Sequence, residues 1–264
     1  MGSLIPKKDL KDWLDHWVDK YENPDFISND PICIPHRYLR SVDREFVGFM
    51  TATISWGRRA SIIDSSNKMF SYFGDHPVDD LVDLSDNDIK DINWSHRTLI
   101  NIDGWQFLKS LRNYYRKNKS LETLFLCKSD ENFYNQAIDR FRSTISQDWT
   151  ESRTMKHIAS PSSGSAAKRI HLFLRWMVRS NNKGVDFGDW TNMDPSKLSC
   201  PLDVHSGNIA RALGLLKRPY NDSKGLLELD KTLRKLNSND PVKYDYALFG
   251  LGESGILKLS LIHI

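Results

Sequence analysis

The chain has 264 residues and a formal net charge of +3, and its 8 Trp, 9 Tyr and 12 Phe are enough to fill one large core or two smaller ones. No run of about eighteen apolar residues is present, and the N-terminus lacks the apolar segment of a secretory signal, which argues against membrane-spanning and exported proteins. Three widely spaced cysteines argue against a disulfide framework and a four-cysteine iron–sulfur site, so we expect an intracellular, soluble protein.

Apolar residues recur at helical spacing along most of the chain, and no stretch alternates with the period of two that strands show. We therefore predict an all-α fold. The longest interruption, residues 181–197, predicts a functional loop or a crossover between domains. The predicted apolar faces carry Leu10, Trp13, Leu14 and Trp17, then Phe46, Phe49, Met50 and Thr53, then Phe133, Ala137, Ile138 and Phe141, and finally Ile170, Phe173, Leu174, Met177 and Val178.

The charges are unevenly distributed. Residues 74–95 contain seven aspartates and one lysine, which predicts a solvated acidic surface turned away from any polyanion. Residues 151–220 contain eleven Lys/Arg and five Asp/Glu, a net charge of +6 in a nearly neutral chain. Localised positive charge is typical of phosphate binding, although a solvated basic face explains it equally well.

The segment that follows the second predicted helix reads Trp56-Gly57-Arg58-Arg59. Two adjacent arginines after a buried helix fit a surface turn, and they also fit a nucleic-acid contact. The eight histidines of the chain show no metal-ligand spacing such as H-E-x-x-H. We expect neither a metal nor another cofactor.

The sequence SPSSGSAAKRIHLFLRWMVRS predicts a helix start with Lys168 in its first turn. Free backbone N–H groups and serine hydroxyls at such a start form an anion site that suits DNA phosphates. Opposite the apolar face, basic residues follow at intervals of three and four, and they predict either a DNA-binding ridge or an ordinary solvated face. The candidate DNA contacts are Ser162, Ser163, Gly164, Ser165, Arg169, His171 and Arg175, and the ridge continues to Arg179.

Asp203 and His205 open a further predicted helix in the sequence CPLDVHSGNIARALGLL. An aspartate there caps the helix, which is worth about 1 kcal/mol for structure alone. Lys168 changes this interpretation, because a lysine beside Arg169 at a helix N-terminus is biased toward the neutral amine that a Schiff-base nucleophile requires. A nearby carboxylate would then stabilise positive charge on a sugar carbon. We predict that Lys168 and Asp203 converge and that His205 supports Asp203.

These motifs resemble the HhH-GPD superfamily of DNA glycosylases. The resemblance rests on a glycine before Lys168, on the Phe-Leu-Arg triplet five to seven residues after it, and on Leu-Asp-x-His at residues 202–205. The nearest branches are lysine-bearing 8-oxoguanine glycosylases without an iron–sulfur cluster, and the spacing of 35 residues between Lys168 and Asp203 is similar to the archaeal branch. TATISWGRRASI and DPVKYDYALFGLG, at residues 51–62 and 240–252, resemble a bacterial family known only as a domain of unknown function.

The resemblance implies two helical domains that flank a DNA-binding cleft, with a modified hairpin because SPSSGSAAK contains a single glycine. One domain is the bundle of residues 46–180. The other combines residues 1–45 and 198–264, and residues 181–197 form the crossover. Trp56, Arg58 and Arg59 would match the loop that enters the duplex where the damaged base leaves, with the two arginines on the DNA and Trp56 as a supporting residue.

The implied activity is base-excision repair. A monomer in the bacterial cytoplasm would bind double-stranded DNA, flip an oxidised purine such as 8-oxoguanine, and remove it through a Lys168 Schiff base with AP lyase activity, assisted by Asp203. Two alternatives remain open. Asp203 could activate water in a monofunctional glycosylase, or the fold could bind nucleic acid without catalysis.

Overall fold

Helices account for the regular structure of the protein, whose computed structural model describes residues 6, 8–127 and 134–255. No regular strand is formed within these ranges, so the predicted all-α class is confirmed for them. The α-helices are α1 (Leu10–Tyr21), α2 (Ser41–Thr53), α3 (Arg59–Phe70), α4 (Pro77–Asp83), α5 (Asp86–Asp91), α6 (Asn101–Tyr115), α7 (Glu122–Phe125), α8 (Asn135–Ser146), α9 (Lys168–Val178), α10 (Val204–Ala212), α11 (Ser223–Leu236) and α12 (Tyr244–Ser254).

Short 3-10 helices occupy many of the connections, and most begin at a proline. Proline suits the first position of a helix because its missing N–H would have no intrahelical acceptor there. Pro24–Asn29, Pro31–Cys33 and Pro35–Arg37 follow one another between α1 and α2. The others are Ser152–His157, Asn181–Lys183, Pro195–Lys197 and Pro241–Lys243.

Two hydrophobic clusters hold the helices together. The first is centred on α2, α6, α8 and α9, where Phe49 contacts Phe107, Phe141 and Phe173 with ring centroids 5.2 to 6.0 Å apart. The second cluster packs α1, α10, α11 and α12 through residues such as Leu14 and Leu229. The described residues of the predicted apolar faces are buried, except that Trp13 and Trp17 are half-buried at the edge of the second cluster.

The boundaries of the two predicted domains stay a prediction. Residues 181–197, the predicted crossover, pack back onto α9 through N–H bonds from Phe187 to the Trp176 carbonyl and from Trp190 to the Met177 carbonyl. Residues 128–133 of the predicted bundle, including Phe133, and residues 1–5, 7 and 256–264 of the predicted second domain lie outside the described residues.

Helix α9 is buried on nearly all sides, so the predicted exposed basic ridge is wrong. The side chains of His171, Arg175 and Arg179 are enclosed, with relative exposures of 0%, 3% and 5%. Carboxylates compensate the two arginines. Arg175 pairs with the buried Asp186 and Asp245, and Arg179 pairs with the buried Glu22 and Asp186 and with the half-buried Asp240. These cations stabilise the interior, and none is available for a DNA backbone.

The acidic segment forms α4 and α5 as an exposed surface, as predicted. Asp75, Asp79, Asp83, Asp86, Asp88 and Asp91 are exposed, and Asp80 is half-buried. No helix of the described residues is long and apolar enough to cross a membrane.

Candidate functional site

Lys168 is the first residue of α9, as the sequence predicts. The preceding residue, Ala167, adopts a left-handed conformation with φ of 45°, and its N–H donates to Ser165 Oγ at 3.0 Å. The chain bends sharply at Ala167, and both Ala166 and Ala167 are buried there. The bend fixes the direction of the chain as α9 starts, and it leaves the Lys168 side chain one-third exposed.

Asp203 is the N-cap of α10, and one carboxylate oxygen is sufficient for that role. Asp203 Oδ1 accepts the Ser206 N–H at 2.9 Å, and the Asp203 N–H donates to Ser206 Oγ at 2.9 Å. Asn221 Nδ2 donates to the Asp203 carbonyl at 2.7 Å. The second oxygen, Oδ2, lies 3.1 Å from Lys168 Nζ. The predicted convergence of Lys168 and Asp203 is therefore present, and Asp203 both caps a helix and contacts the lysine.

The Asp203 carboxylate is held in its ionised form. Burial raises the pKa of Asp203, but the Lys168 charge and the Ser206 N–H together outweigh burial and bring the pKa below that of an ordinary aspartate. An ionised carboxylate beside an amine has two chemical uses: it accepts a proton from the amine, and it stabilises a cation that forms nearby.

The Lys168–Asp203 pair lies on the wall of a cavity of about 750 Å³. The cavity is lined by the end of the α2–α3 connection, the start of α9, residues 201–205 and one face of α12. Three aromatic side chains, Phe26, Trp56 and Phe249, line it together with aliphatic groups. A concave site of this size is typical of small-molecule pockets, and this one also carries many charged side chains.

Two further carboxylates line the cavity. Burial raises the pKa of Asp245 to about 6, in opposition to its partner Arg175 and with a smaller contribution from the charge of Asp203. Asp30 is 8% exposed, and burial also raises its pKa above the ordinary value. The cavity therefore combines aromatic faces with buried acceptors.

The predicted support and DNA-contact residues of the α2–α3 connection surround the cavity. Trp56 is half-buried between His157, whose ring stacks on it at 6.0 Å, and Arg169, whose guanidinium lies 4.7 Å from the Trp56 ring centre. Arg169 also donates to the Thr53 carbonyl. The contacts of Arg169 are therefore internal, and its predicted role on DNA stays a prediction.

The two predicted arginines of this connection differ in environment. Arg59 pairs with Glu253 and lies 4.9 Å above the Phe249 ring. Arg58 is exposed at the start of α3, and its side chain forms no ion pair or hydrogen bond with the part of the chain that the structure describes. His205 is exposed and lines the same cavity, with its ring 6.2 Å from Phe249. An electrostatic contribution from His205 is the smallest of the named causes that lower the pKa of Asp203.

The turn at residues 160–165 lacks the free N–H groups that the sequence predicts. Ser162 N–H donates to Asp139 Oδ2 at 3.1 Å, Ser163 and Ser165 N–H donate to the Ser160 carbonyl at 3.2 Å, and Gly164 N–H donates to the Pro161 carbonyl at 3.0 Å. These four N–H groups are therefore not available to an anion, and the predicted anion site at the start of α9 stays a prediction. Ser162, Ser163 and Gly164 are nevertheless exposed, and Ser165 lines the cavity.

Sequence reasoning missed Phe26, Asp30 and Asp245. Asp30 reads as an ordinary cap before Pro31, and nothing local separates it from the other capping aspartates. Asp245 offered a weak signal, since it is a charged residue between aromatic residues that are buried in α12. Within the described ranges, no group of three or more His, Cys, Asp or Glu side chains is arranged to hold a metal ion.

Comparison with known proteins gives one family. Residues 30–254 match the profile of a family described as "Protein of unknown function (DUF2400)". No curated protein and no solved structure matches the chain significantly.

Proposed function

This chain belongs to the DUF2400 family, and we propose that it is a DNA glycosylase with AP lyase activity that removes an oxidised purine, 8-oxoguanine being the leading candidate. The observation that carries the proposal is the 3.1 Å contact between Lys168 Nζ and Asp203 Oδ2 on the wall of a cavity large enough for a base. A nucleophilic amine and an ionised carboxylate at one point are the groups that cleavage of an N-glycosidic bond through a Schiff base requires.

The cavity suits a base that has left the duplex. An enzyme that acts on a base must take it out of the stack, and it then holds the base by stacking and by contacts to its polar edge. Phe26 and Phe249 supply aromatic faces, and Asp30 and Asp245 supply polar groups. The reacting sugar carbon would lie at the cavity mouth beside Lys168, which is the more exposed member of the pair, at 32% against 17% for Asp203.

The chemistry follows from the pair. The Lys168 ammonium gives a proton to Asp203 Oδ2, its nearest acceptor, and the free amine attacks C1′ of the nucleotide. The N–C1′ bond forms as the bond from C1′ to the base breaks, and the base leaves with the electron pair and takes the proton that Asp203 accepted. The nitrogen then forms a double bond to C1′ as the C1′–O4′ bond breaks and O4′ takes a proton from the nitrogen, which opens the sugar ring and gives an imine. Loss of a C2′ proton then expels the 3′ phosphate, and hydrolysis of the imine releases the lysine.

The proposed fold is an HhH-GPD-like arrangement in which two helical domains flank double-stranded DNA. The turn at residues 160–165 stands where the hairpin is expected, directly before α9, and Gly164 has a φ of +90° there. Ser162, Ser163 and Arg58 would contact phosphates from the surface, since their side chains are exposed. Arg175 and His171 are buried and have no such role.

Borohydride trapping on a duplex that contains 8-oxoguanine tests the proposal, because reduction converts the imine into a stable protein–DNA adduct. We expect an adduct with the native protein and none with Lys168→Gln. Lys156→Gln, which changes an exposed lysine of the same basic segment, is the matched control and should trap normally. Absence of an adduct with the native protein, or an equal amount with Lys168→Gln, refutes the lysine mechanism.

A monofunctional glycosylase is the second candidate. The ion pair between Asp203 and Lys168 favours it, because it keeps an ionised carboxylate on the cavity wall, where the carboxylate can also activate water. This enzyme would release the base, leave the strand intact and give no adduct. Asp203→Asn should abolish base release under both mechanisms. A protein that binds DNA without catalysis would release no base from any lesion.

A further inference from the structure

Asp30 is a buried carboxylate with one oxygen left open toward the cavity. Its side chain is the N-cap of the 3-10 helix Pro31–Cys33, where Oδ1 accepts the Ile32 N–H at 3.1 Å. Oδ2 accepts no hydrogen bond from the residues that the structure describes, and Asp30 forms no ion pair there. The residue is 92% buried and lines the same cavity as Lys168 and Asp203.

This environment is unfavourable for the protein alone. Burial raises the pKa of Asp30, and the Ile32 N–H together with the charges of Arg175, Arg59 and Lys168 only partly opposes that effect. The other buried carboxylates near α9 have direct partners: Asp186 and Asp245 contact Arg175. A largely buried carboxylate without a direct ion pair gains free energy when a bound molecule donates hydrogen bonds to it.

On the basis of the proposed function, we infer that Asp30 selects the base that enters the cavity by accepting hydrogen bonds from adjacent N–H groups, as the N1–H and 2-amino group of a guanine-type purine present them. Oδ2 is open, and Oδ1 keeps a second lone pair beside its bond to Ile32. Two parallel N–H donors match the two oxygens of a carboxylate.

Other base edges fit poorly. Adenine-type bases place an acceptor at N1, which would face the carboxylate with like partial charge. A hypoxanthine-type base keeps N1–H but lacks the 2-amino donor. A site built to hydrogen-bond a group rejects the analogue that lacks it, because its buried acceptor is then left without a partner. Stacking on an aromatic ring such as Phe26 does not distinguish one purine from another, so the discrimination depends on hydrogen bonds to the edge of the base, to which Asp30 contributes the acceptor without a direct ion pair.

Asp30→Asn tests the inference without removing the helix cap, since the amide oxygen still accepts from Ile32. Asp25→Asn, at an exposed aspartate of the preceding 3-10 helix, is the matched control. Binding of the free bases 8-oxoguanine and 8-oxohypoxanthine is measured by quenching of tryptophan fluorescence. We expect the native protein and Asp25→Asn to prefer 8-oxoguanine by roughly 10- to 100-fold, and Asp30→Asn to lose most of that preference.

Excision assays separate this inference from the proposed function. With duplexes that contain either base, Asp30→Asn should lose roughly 10- to 100-fold in excision of 8-oxoguanine yet cleave a preformed abasic site at the native rate, because no base remains to be selected. Asp30-dependent base binding by a protein that excises nothing supports the inference and refutes the glycosylase. Equal binding of the two bases by the native protein, binding of neither, or an unchanged preference in Asp30→Asn overturns the inference.

Discussion

Replacing His171 with leucine is expected to make the protein more resistant to acid. The imidazole of His171 is fully buried, and neither ring nitrogen has a hydrogen-bond partner in the described structure. Burial lowers the pKa of His171 to about 3, and the charge of Arg234 adds to the effect. The unfolded chain binds this proton with a pKa of about 6.5. The lowered pKa therefore favours the fold above pH 6.5, and this contribution is lost as the pH falls toward 3.

The magnitude follows from the two pKa values. Between pH 7 and pH 4.5, proton uptake at position 171 in the unfolded chain lowers the free energy of unfolding by roughly 2.5 kcal/mol. His157, with a pKa lowered to about 4, acts in the same direction, whereas Asp230 and Asp245, raised to about 6, act in the opposite one. All three remain in His171→Leu, so the difference between the two proteins isolates His171.

Urea denaturation followed by tryptophan fluorescence measures the effect at pH 7 and pH 4.5. The native protein should lose roughly 2.5 kcal/mol more than His171→Leu between these pH values. His16→Leu, which removes an exposed imidazole of α1, is the control and should behave as the native protein does. Equal losses in the native protein and His171→Leu would show that the buried imidazole takes up its proton without unfolding, and would refute the reasoning.

Two further predictions concern the arginines. Arg175→Met should lower the free energy of unfolding by about 3–5 kcal/mol in urea denaturation, because it leaves Asp245 buried without its partner; a loss below about 1 kcal/mol would contradict the assigned ion pairing. Arg58→Ala should leave stability unchanged, but weaken duplex binding and reduce the slope of log affinity against log salt by about one. Lys90→Ala, on the acidic surface, is its control, and an equal change in the two variants would exclude Arg58 from the DNA contact.

The sequence alone is sufficient to predict the helices and to place Lys168 and Asp203 at helix starts. Helix starts depend on short-range chemistry, so Lys168 in the first turn of α9 and Asp203 as the cap of α10 follow from neighbouring residues. Their convergence was predicted from chemistry and from the resemblance. Local rules do not fix that distance, because it also depends on how α10 packs on α12.

The prediction of an exposed basic ridge on α9 is wrong for a physical reason that cannot be read from a single sequence. Polar positions opposite an apolar stripe face water only when one side of the helix is solvated. The apolar side of α9 belongs to the first hydrophobic cluster, and its polar side is covered by residues such as Asp186 and Tyr246. The counterions that make burial of Arg175 tolerable are Asp186, eleven residues away, and Asp245, seventy residues away. The residues next to Arg175 in the sequence do not indicate these distant partners. A buried helix face with ion pairs and an exposed DNA-binding face therefore show the same pattern of basic residues.

The same contrast between paired and unpaired buried charges explains why we assign a ligand-binding role to Asp30 and a structural role to Asp186. Asp186 is buried among arginines that also join α9 to Glu22 and Asp240, so packing accounts for it fully. Asp30 is nearly as buried, yet its cap requires only one oxygen, a role that serine or asparagine would fill without a buried charge. A neutral residue could cap the 3-10 helix at position 30, yet a carboxylate occupies it in the cavity that Lys168 also lines. This favours a bound ligand that donates hydrogen bonds to the free Asp30 oxygen.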